Sequence, residues 1–273
     1  MNILNIMEDI EKADDEIYER INPRRKVIKN FLGAGSKVAL SALPIALSGL
    51  FTKAYGRVPE KVLDGLNFAL TLEHLEHRFY QTAMDTSNLI PAKDKMGFIL
   101  KHEKAHVKFL EDTIKKSGGT PVSEAKYDFT GKGTYPDVFT SYKTFLLVAQ
   151  SFEDTGVAAY KGQATKIKAS YKEVNEILTA ALQIHSTEAR HAAHIRFIRL
   201  LSGFATIKPW IIGDDNTKGQ PSYPIYRDED DHRHVFININ GIGGYNTKNA
   251  GTASFDEPLR KNDVLKIVAP FFA

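Results

Sequence analysis

Apolar residues recur at helical spacing over four long stretches, roughly 58–87, 91–117, 136–168 and 172–203, and each reads as one amphipathic helix. Pro59, Pro91 and Pro136 stand where the first three should begin, and Gly118-Gly119 ends the second. The connections at 88–90 and 169–171 are too short for anything but antiparallel neighbours, so the pattern predicts two helical hairpins. Between them runs a linker of about 18 residues, "GGTPVSEAKYDFTGKGTYP", which can span ~60 Å when extended. The second helix is only ~40 Å long. The linker can therefore cross the whole bundle and leave the second and third helices parallel, an all-α four-helix bundle with a long crossover. After residue 204 the periodicity stops: a loop-rich tail follows, expected to wrap the bundle and to end in a short helix at "DEPLRKNDVLKIV" with Pro258 near its first turn.

The apolar stripes are interrupted at matching places. The first runs Val62, Leu66, Ala69, Glu73, Glu76, Tyr80, Ala83, and the third Tyr142, Leu146, Ala149, Glu153, Gly156, Tyr160. Each carries a glutamate at mid-helix and a tyrosine seven residues later. The second and fourth carry Glu103-x-x-His106 and Glu188-x-x-His191, so the chain repeats one unit, Glu…Tyr then Glu-x-x-His.

Residues on an antiparallel pair meet only when they lie equally far from the turn. The midpoint of Glu73 and the Glu103/His106 pair is (73 + 104.5)/2 ≈ 89, and that of Glu153 and the Glu188/His191 pair is (153 + 189.5)/2 ≈ 171. Both midpoints fall inside the short connections, which predicts that all six side chains share one layer. Four carboxylates and two imidazoles in an apolar core would each cost several kcal/mol if left uncompensated. Two divalent cations supply +4 against −4, and oxygen with imidazole donors suits iron or manganese. Without metal, crowding and burial are expected to raise all four glutamate pKa values.

Composition narrows the remaining classes. The chain has 273 residues, 42% hydrophobic and 25% charged, which suits a globular protein able to bury polar machinery. Lys+Arg exceed Asp+Glu by only 36 − 33 = 3, with no basic stripe interleaved with aromatics, so no nucleic-acid partner is expected. The absence of cysteine excludes disulfides, thiolate zinc sites and cysteine nucleophiles. The cluster Asp228, Glu229, Asp230, Asp231, His232 and His234 reads as a solvated acidic loop in preference to a second metal site.

Across residues 58–203 the set Glu73, Tyr80, Glu103-x-x-His106, Glu153, Tyr160, Glu188-x-x-His191 resembles the dimetal-carboxylate pattern of the ferritin-like superfamily. "LNFALTLEHLEHRFYQ" and "FDEPLRKNDVLKIVAPF" resemble bacterial ferritin-like proteins related to plant desiccation-associated proteins. The resemblance implies that Glu103 and Glu188 bridge two metal ions, that His106 and His191 each cap one, that Glu73 and Glu153 are outer carboxylates, and that Tyr80 and Tyr160 hydrogen-bond ligands. Glu76, one turn from Glu73, is either a seventh carboxylate or a hydrogen-bond partner. His77, His102, His185 and His194 flank the layer at positions read as surface or supporting. The function implied is a di-iron oxidoreductase of ferroxidase or peroxidase type acting on dioxygen or peroxide, with a di-manganese variant; the alternative is a non-catalytic metal-binding or desiccation-protection protein. Bundle helices also offer surfaces for homo- or hetero-oligomers.

The organisation expected is an N-terminal segment 1–54, a bundle 55–204 and an extension 205–273. In the first, Arg24-Arg25 ahead of "KVIKNFLGAGSKVALSALPIALSGLF" resembles a twin-arginine export signal, implying a periplasmic protein. The same segment also reads as an amphipathic helix (Ile3, Ile6, Ile10, Ile17, Ile21) leading into a packing helix of a cytoplasmic protein.

Overall fold

The structure is a computed structural model that describes residues 58–164, 167, 172–215, 217–240 and 248–273. Both readings of segment 1–54 lie outside the described residues.

Four long helices form where the apolar stripes place them: α1 Glu60–Asp85, α2 Gly97–Lys116, α3 Tyr142–Ala164 and α4 Lys172–Leu201. α1 packs along α2 and α3 along α4, and α1 joins the two hairpins through α3. Pro59 caps α1, its carbonyl accepting the N–H groups of Val62 at 2.8 Å and Leu63 at 3.2 Å. α2 ends in a Schellman turn on Gly118 (φ 81°), where Gly119 N–H donates to Ile114 and Gly118 N–H to Lys115. α4 ends the same way on Gly203 (φ 67°), with Phe204 N–H donating to Arg199 and Gly203 N–H to Leu200. The repeat seen in the functional residues thus extends to the stop signals.

Three boundaries differ from expectation. α2 starts at Gly97 instead of 91, because Pro91 opens a 3-10 turn, Ala92–Asp94, and Lys95 turns left-handed (φ 49°). α3 starts at Tyr142 instead of 136, after a run of turns; Ser141 Oγ accepts the N–H of Thr144 at 3.3 Å and so acts as the N-cap. The last helix starts at Lys261, beyond Pro258.

The crossover does run the length of the bundle. It leaves α2 beside the start of α1, where Asn67 donates to Thr120 O and accepts from Val122 N–H, passes Arg78 through Glu124, and reaches the far end, where Tyr142 OH donates to Asp94. α3 therefore begins at the end where α2 begins, and the two run parallel.

The tail adds α5 Tyr223–Tyr226, a hairpin of β1 Arg233–His234 and β2 Ile237–Asn238, α6 Lys248–Thr252 and α7 Lys261–Val268. α7 and α5 pack against α3. This explains why α3 is buried continuously from Val148 to Tyr160: hairpin partners cover one side and the tail the other. Leu259 N–H donates to Ala158 O at 3.0 Å, and a Cβ on Gly162 would lie 1.9 Å from the Leu259 carbonyl oxygen, so that close approach requires glycine. The chain's last residues clasp the crossover, with Asp128 N–H donating to Phe271 O and Ala273 N–H to Lys126 O.

Two apolar clusters fill the bundle. One gathers Phe79, Phe145, Phe152, Met96 and Ile195, and the other Leu66, Leu70, Ile114, Val174 and Ile177. On α1 the second cluster takes Val62, Leu66, Ala69 and Leu70, all ahead of Glu73, while the first runs from Phe68 past Glu76 to Ala83, so apolar side chains surround the polar layer. Among the described residues no helix is long and apolar enough to cross a membrane.

Candidate metal centre

The polar layer contains all six predicted residues. Glu73 comes from α1, Glu103 and His106 from α2, Glu153 from α3, Glu188 and His191 from α4. The four glutamates are fully buried, with His106 9% and His191 1% exposed. The i, i+3 spacing within α2 and α4 stacks each glutamate and histidine on one face, and the matched distance from each turn brings the faces level.

Both histidines point Nδ1 into the layer. His106 Nδ1 lies 3.1 Å from Glu73, 3.3 Å from Glu103 and 3.1 Å from Glu188. His191 Nδ1 lies 3.0 Å from Glu103, 3.3 Å from Glu153 and 3.7 Å from Glu188. Two groups emerge in which one donor atom per residue lies within 4.8 Å of all the others: Glu73, Glu103, His106, Glu188, and Glu103, Glu153, Glu188, His191. Glu103 and Glu188 belong to both. Glu103 Oε1, Glu153 Oε2, both Glu188 oxygens and His191 Nδ1 are buried and make no hydrogen bond. Orphaned buried acceptors facing one another are costly unless something positive lies between them.

The tyrosines tie the hairpins together crosswise. Tyr80 of α1 donates to Glu153 of α3 at 2.5 Å, and Tyr160 of α3 donates to Glu73 of α1. Each outer carboxylate is therefore held by the other hairpin. Glu76 is also buried in this layer; a Cβ on Gly156 would approach its Oε1 to 3.1 Å and Glu188 Cγ to 3.7 Å. Gly156 is the counterpart of Glu76 in the repeat, and its missing side chain makes room for the extra carboxyl.

Burial, set against His106, pushes Glu73 up to about 8. Burial and neighbouring carboxylates raise Glu76 well above its ordinary value, and burial raises Glu153 despite His191. Glu103 and Glu188 move the other way: burial opposes their charge, but His106 and His191 overcome it. The expectation that all four rise is corrected here. Both inner carboxylates touch both imidazoles, which are themselves held well above their usual range by the glutamates against burial. Two imidazolium and two carboxylate charges offset one another, and burial favours the neutral form of the outer pair.

The ferritin-like domain model matches residues 61–200, more than half of the chain. The chain belongs to the ferritin-like family. No curated protein matches it. In this ferritin-like bundle the matched region spans the four helices and every residue of the polar layer.

Some residues around the layer were not singled out by the repeat. His102, read as surface or supporting, brings its Nδ1 to 2.9 Å from His191 Nε2 with the rings stacked at 5.2 Å. On the outer side of α3, Asp154 accepts from Arg196 Nη2 at 2.8 Å and from Tyr226 OH at 2.6 Å, while Arg196 Nη1 reaches Asp215 at 2.9 Å. The available signal was the run Gln150-Ser151-Phe152-Glu153-Asp154 in a helix otherwise apolar all round, matched by Arg196 and Arg199 on α4. In the acidic loop, Asp228 pairs with Arg227 at the surface as expected. Glu229 departs from that reading: it is buried, accepts the N–H of Glu257 at 2.9 Å, and is pushed up to about 8 by burial and Asp256. Among the described residues this loop forms no group able to hold a metal.

Proposed function

We propose that this ferritin-like protein is a dinuclear metal–carboxylate oxidoreductase, iron in preference to manganese, acting on dioxygen or peroxide. The observation that carries the reading is the sharing of Glu103 and Glu188 between two four-residue donor groups in which Glu103 Oε1, Glu153 Oε2, both Glu188 oxygens and His191 Nδ1 lack a well-directed hydrogen bond. Glu103 and Glu188 would bridge, His106 and His191 would each cap one ion through Nδ1, and Glu73 and Glu153 would complete one ion each. Oxygen and nitrogen donors without thiolate suit iron and manganese. A bound metal pair of this kind supplies one-electron redox chemistry toward dioxygen or peroxide.

The chain's own groups do the rest. Tyr80 and Tyr160 donate to one oxygen of Glu153 and Glu73, and the other oxygen of each faces into the layer beside His191 or His106. His102 accepts from or donates to His191 Nε2, which keeps His191 Nδ1 turned inward. Glu76 is a buried carboxyl beside the layer, raised above its ordinary range by burial and the neighbouring carboxylates. The apolar clusters around the layer keep bulk water from the site.

The experiment is ferrous loading of the chelated protein without oxygen, metal analysis, and then exposure to dioxygen or to peroxide with the near-ultraviolet spectrum followed. The reading expects two ions per chain and stoichiometric oxidation that His191→Ala abolishes. Two tightly bound ions that neither oxidant touches would mean a non-catalytic metal-binding protein, and a wild-type chain that takes up no metal would remove the site altogether.

A further inference from the structure

A cavity of about 300 Å³ lies away from the metal layer, between the ends of α3 and α4 and the start of the tail. Its lining combines apolar Leu147, Phe204 and Ile207 with polar Gln150, Arg199 and Ser222. Arg199 is 8% exposed, and its Nε is buried with no hydrogen-bond partner among the described residues. Its Nη1 donates to Gln150 Oε1. Among the described residues no carboxylate forms an ion pair with it. Asp215 borders the cavity, but its charge is engaged by Arg196, which also serves Asp154. Burial holds the Arg199 guanidinium below its ordinary range, and Arg196 acts in the same direction against the pull of Tyr226. A guanidinium remains charged at neutral pH and has five donors to satisfy.

Nothing about the position is loose. Gln150 Nε2 donates to Tyr226 OH at 3.0 Å, and Tyr226 OH donates to Asp154 at 2.6 Å. Asp154 is held by Arg196 through both oxygens. This chain of directed bonds fixes the Gln150 amide with its oxygen toward Arg199, and so fixes the guanidinium against the cavity.

We propose that this cavity is a binding site for a small organic monocarboxylate, its carboxylate paired with Arg199 and its short carbon chain laid against Leu147, Phe204 and Ile207. The planar fork of a guanidinium matches a carboxylate, and pairing supplies the partner that Arg199 lacks. Among the described residues the lining holds a single cation, with Asp215 at the border and no lysine, which matches one negative charge and disfavours a dianion such as phosphate. The apolar side chains of the lining select against inorganic anions. The site does not depend on the metal reading, since none of these residues belongs to the polar layer.

The test is calorimetric titration of the full chain with butyrate, with its neutral isostere butyramide and with inorganic phosphate at matched ionic strength. The proposal expects saturable binding of one butyrate per chain, at least tenfold tighter than butyramide or phosphate, and at least tenfold weakened by Arg199→Gln. Equal affinity for butyramide, or tighter binding of phosphate, overturns it, as does absence of butyrate binding. Should Arg199→Gln fail to fold, the arginine Nε–H resonances of the wild type decide: butyrate must shift the Arg199 signal, and binding that leaves it unmoved overturns the assignment.

Discussion

Replacing Glu73 by Gln should stabilise the metal-free protein and destabilise the metal-loaded one. Glu73 is fully buried and its carboxyl is pushed up to about 8, against an ordinary value of 4.5. A carboxyl whose folded pKa lies above its unfolded pKa contributes stability that is complete below the unfolded value and is lost as pH rises through the folded one. At pH 7 the folded chain must still bind a proton that the unfolded chain has released. Over the interval 7 − 4.5 = 2.5 pH units, at ~1.4 kcal/mol each, the ceiling on this cost is about 3.4 kcal/mol. Coupling to His106 reduces it, so a gain of roughly 1–3 kcal/mol is expected for Glu73→Gln at pH 7, fading to nothing near pH 4.5. Gln keeps an oxygen for His106 and an amide beside Tyr160, so little packing is disturbed. His106 and His191, also raised, add in the same direction above 6.5, whereas the lowered Glu103 and Glu188 oppose only below about 4.5. The chelated wild type should therefore gain stability as pH falls from 8 toward 5. Metal reverses the order, because it requires the deprotonated ligands and Gln supplies no charge. Thermal unfolding of both proteins at pH 7 and pH 5, with chelator and with ferrous iron, measures all of this. If chelated Glu73→Gln melts below wild type at pH 7, the argument that burial keeps this carboxyl protonated fails.

Four further outcomes are expected. Gly162→Ala places a methyl 1.9 Å from the Leu259 carbonyl, so the tail must lift from α3; a loss of roughly 2–4 kcal/mol and faster proteolysis near 256–261 are expected, and unchanged cleavage would refute the contact. Tyr80→Phe removes the donor to Glu153 and should cost about 1–3 kcal/mol while weakening metal uptake, with Tyr160→Phe matching it; chelated melting curves and metal titration check both. Glu229→Gln keeps the acceptor for Glu257 N–H and should stabilise the protein by about 1–3 kcal/mol at pH 8 but not at pH 5, since a raised carboxyl loses its contribution as pH rises; equal gains at both would show that charge is not the cause. Arg24→Lys with Arg25→Lys should leave a tagged protein in the cytoplasm if residues 1–54 act as a twin-arginine signal, and identical fractionation of mutant and wild type would favour packing helices.

The bundle and its layer were legible because two kinds of arithmetic, the helical period and the distance from the turn, act on the same six residues. Neither depends on tertiary detail. Helix starts were less legible: Pro91 and Pro136 are good first-turn residues, but each opens a turn several residues early, because Lys95 and Ser141 decide where the helix begins. The ionisation pattern departs from expectation because like-charge crowding is visible in sequence, whereas the contact of each inner carboxylate with both imidazoles, and of each outer one with a single imidazole, is a matter of ångströms. The Asp154–Arg196–Asp215 network and Arg199 stayed hidden for another reason. Part of the network, Asp215 and Tyr226, comes from a tail without periodicity, so nothing in the pattern registers these two residues against α3 and α4.

Each donor group takes three residues from one hairpin and the fourth from the other: Glu188 joins Glu73, Glu103 and His106, and Glu103 joins Glu153, Glu188 and His191. Docking of the hairpins and affinity for the ions are thus linked equilibria. A substitution far from the layer that weakens docking by 1.4 kcal/mol would lower metal affinity up to about tenfold without touching a ligand, if binding requires the docked state. Read in the other direction, ion occupancy is a gauge of whether the two halves of this chain have come together.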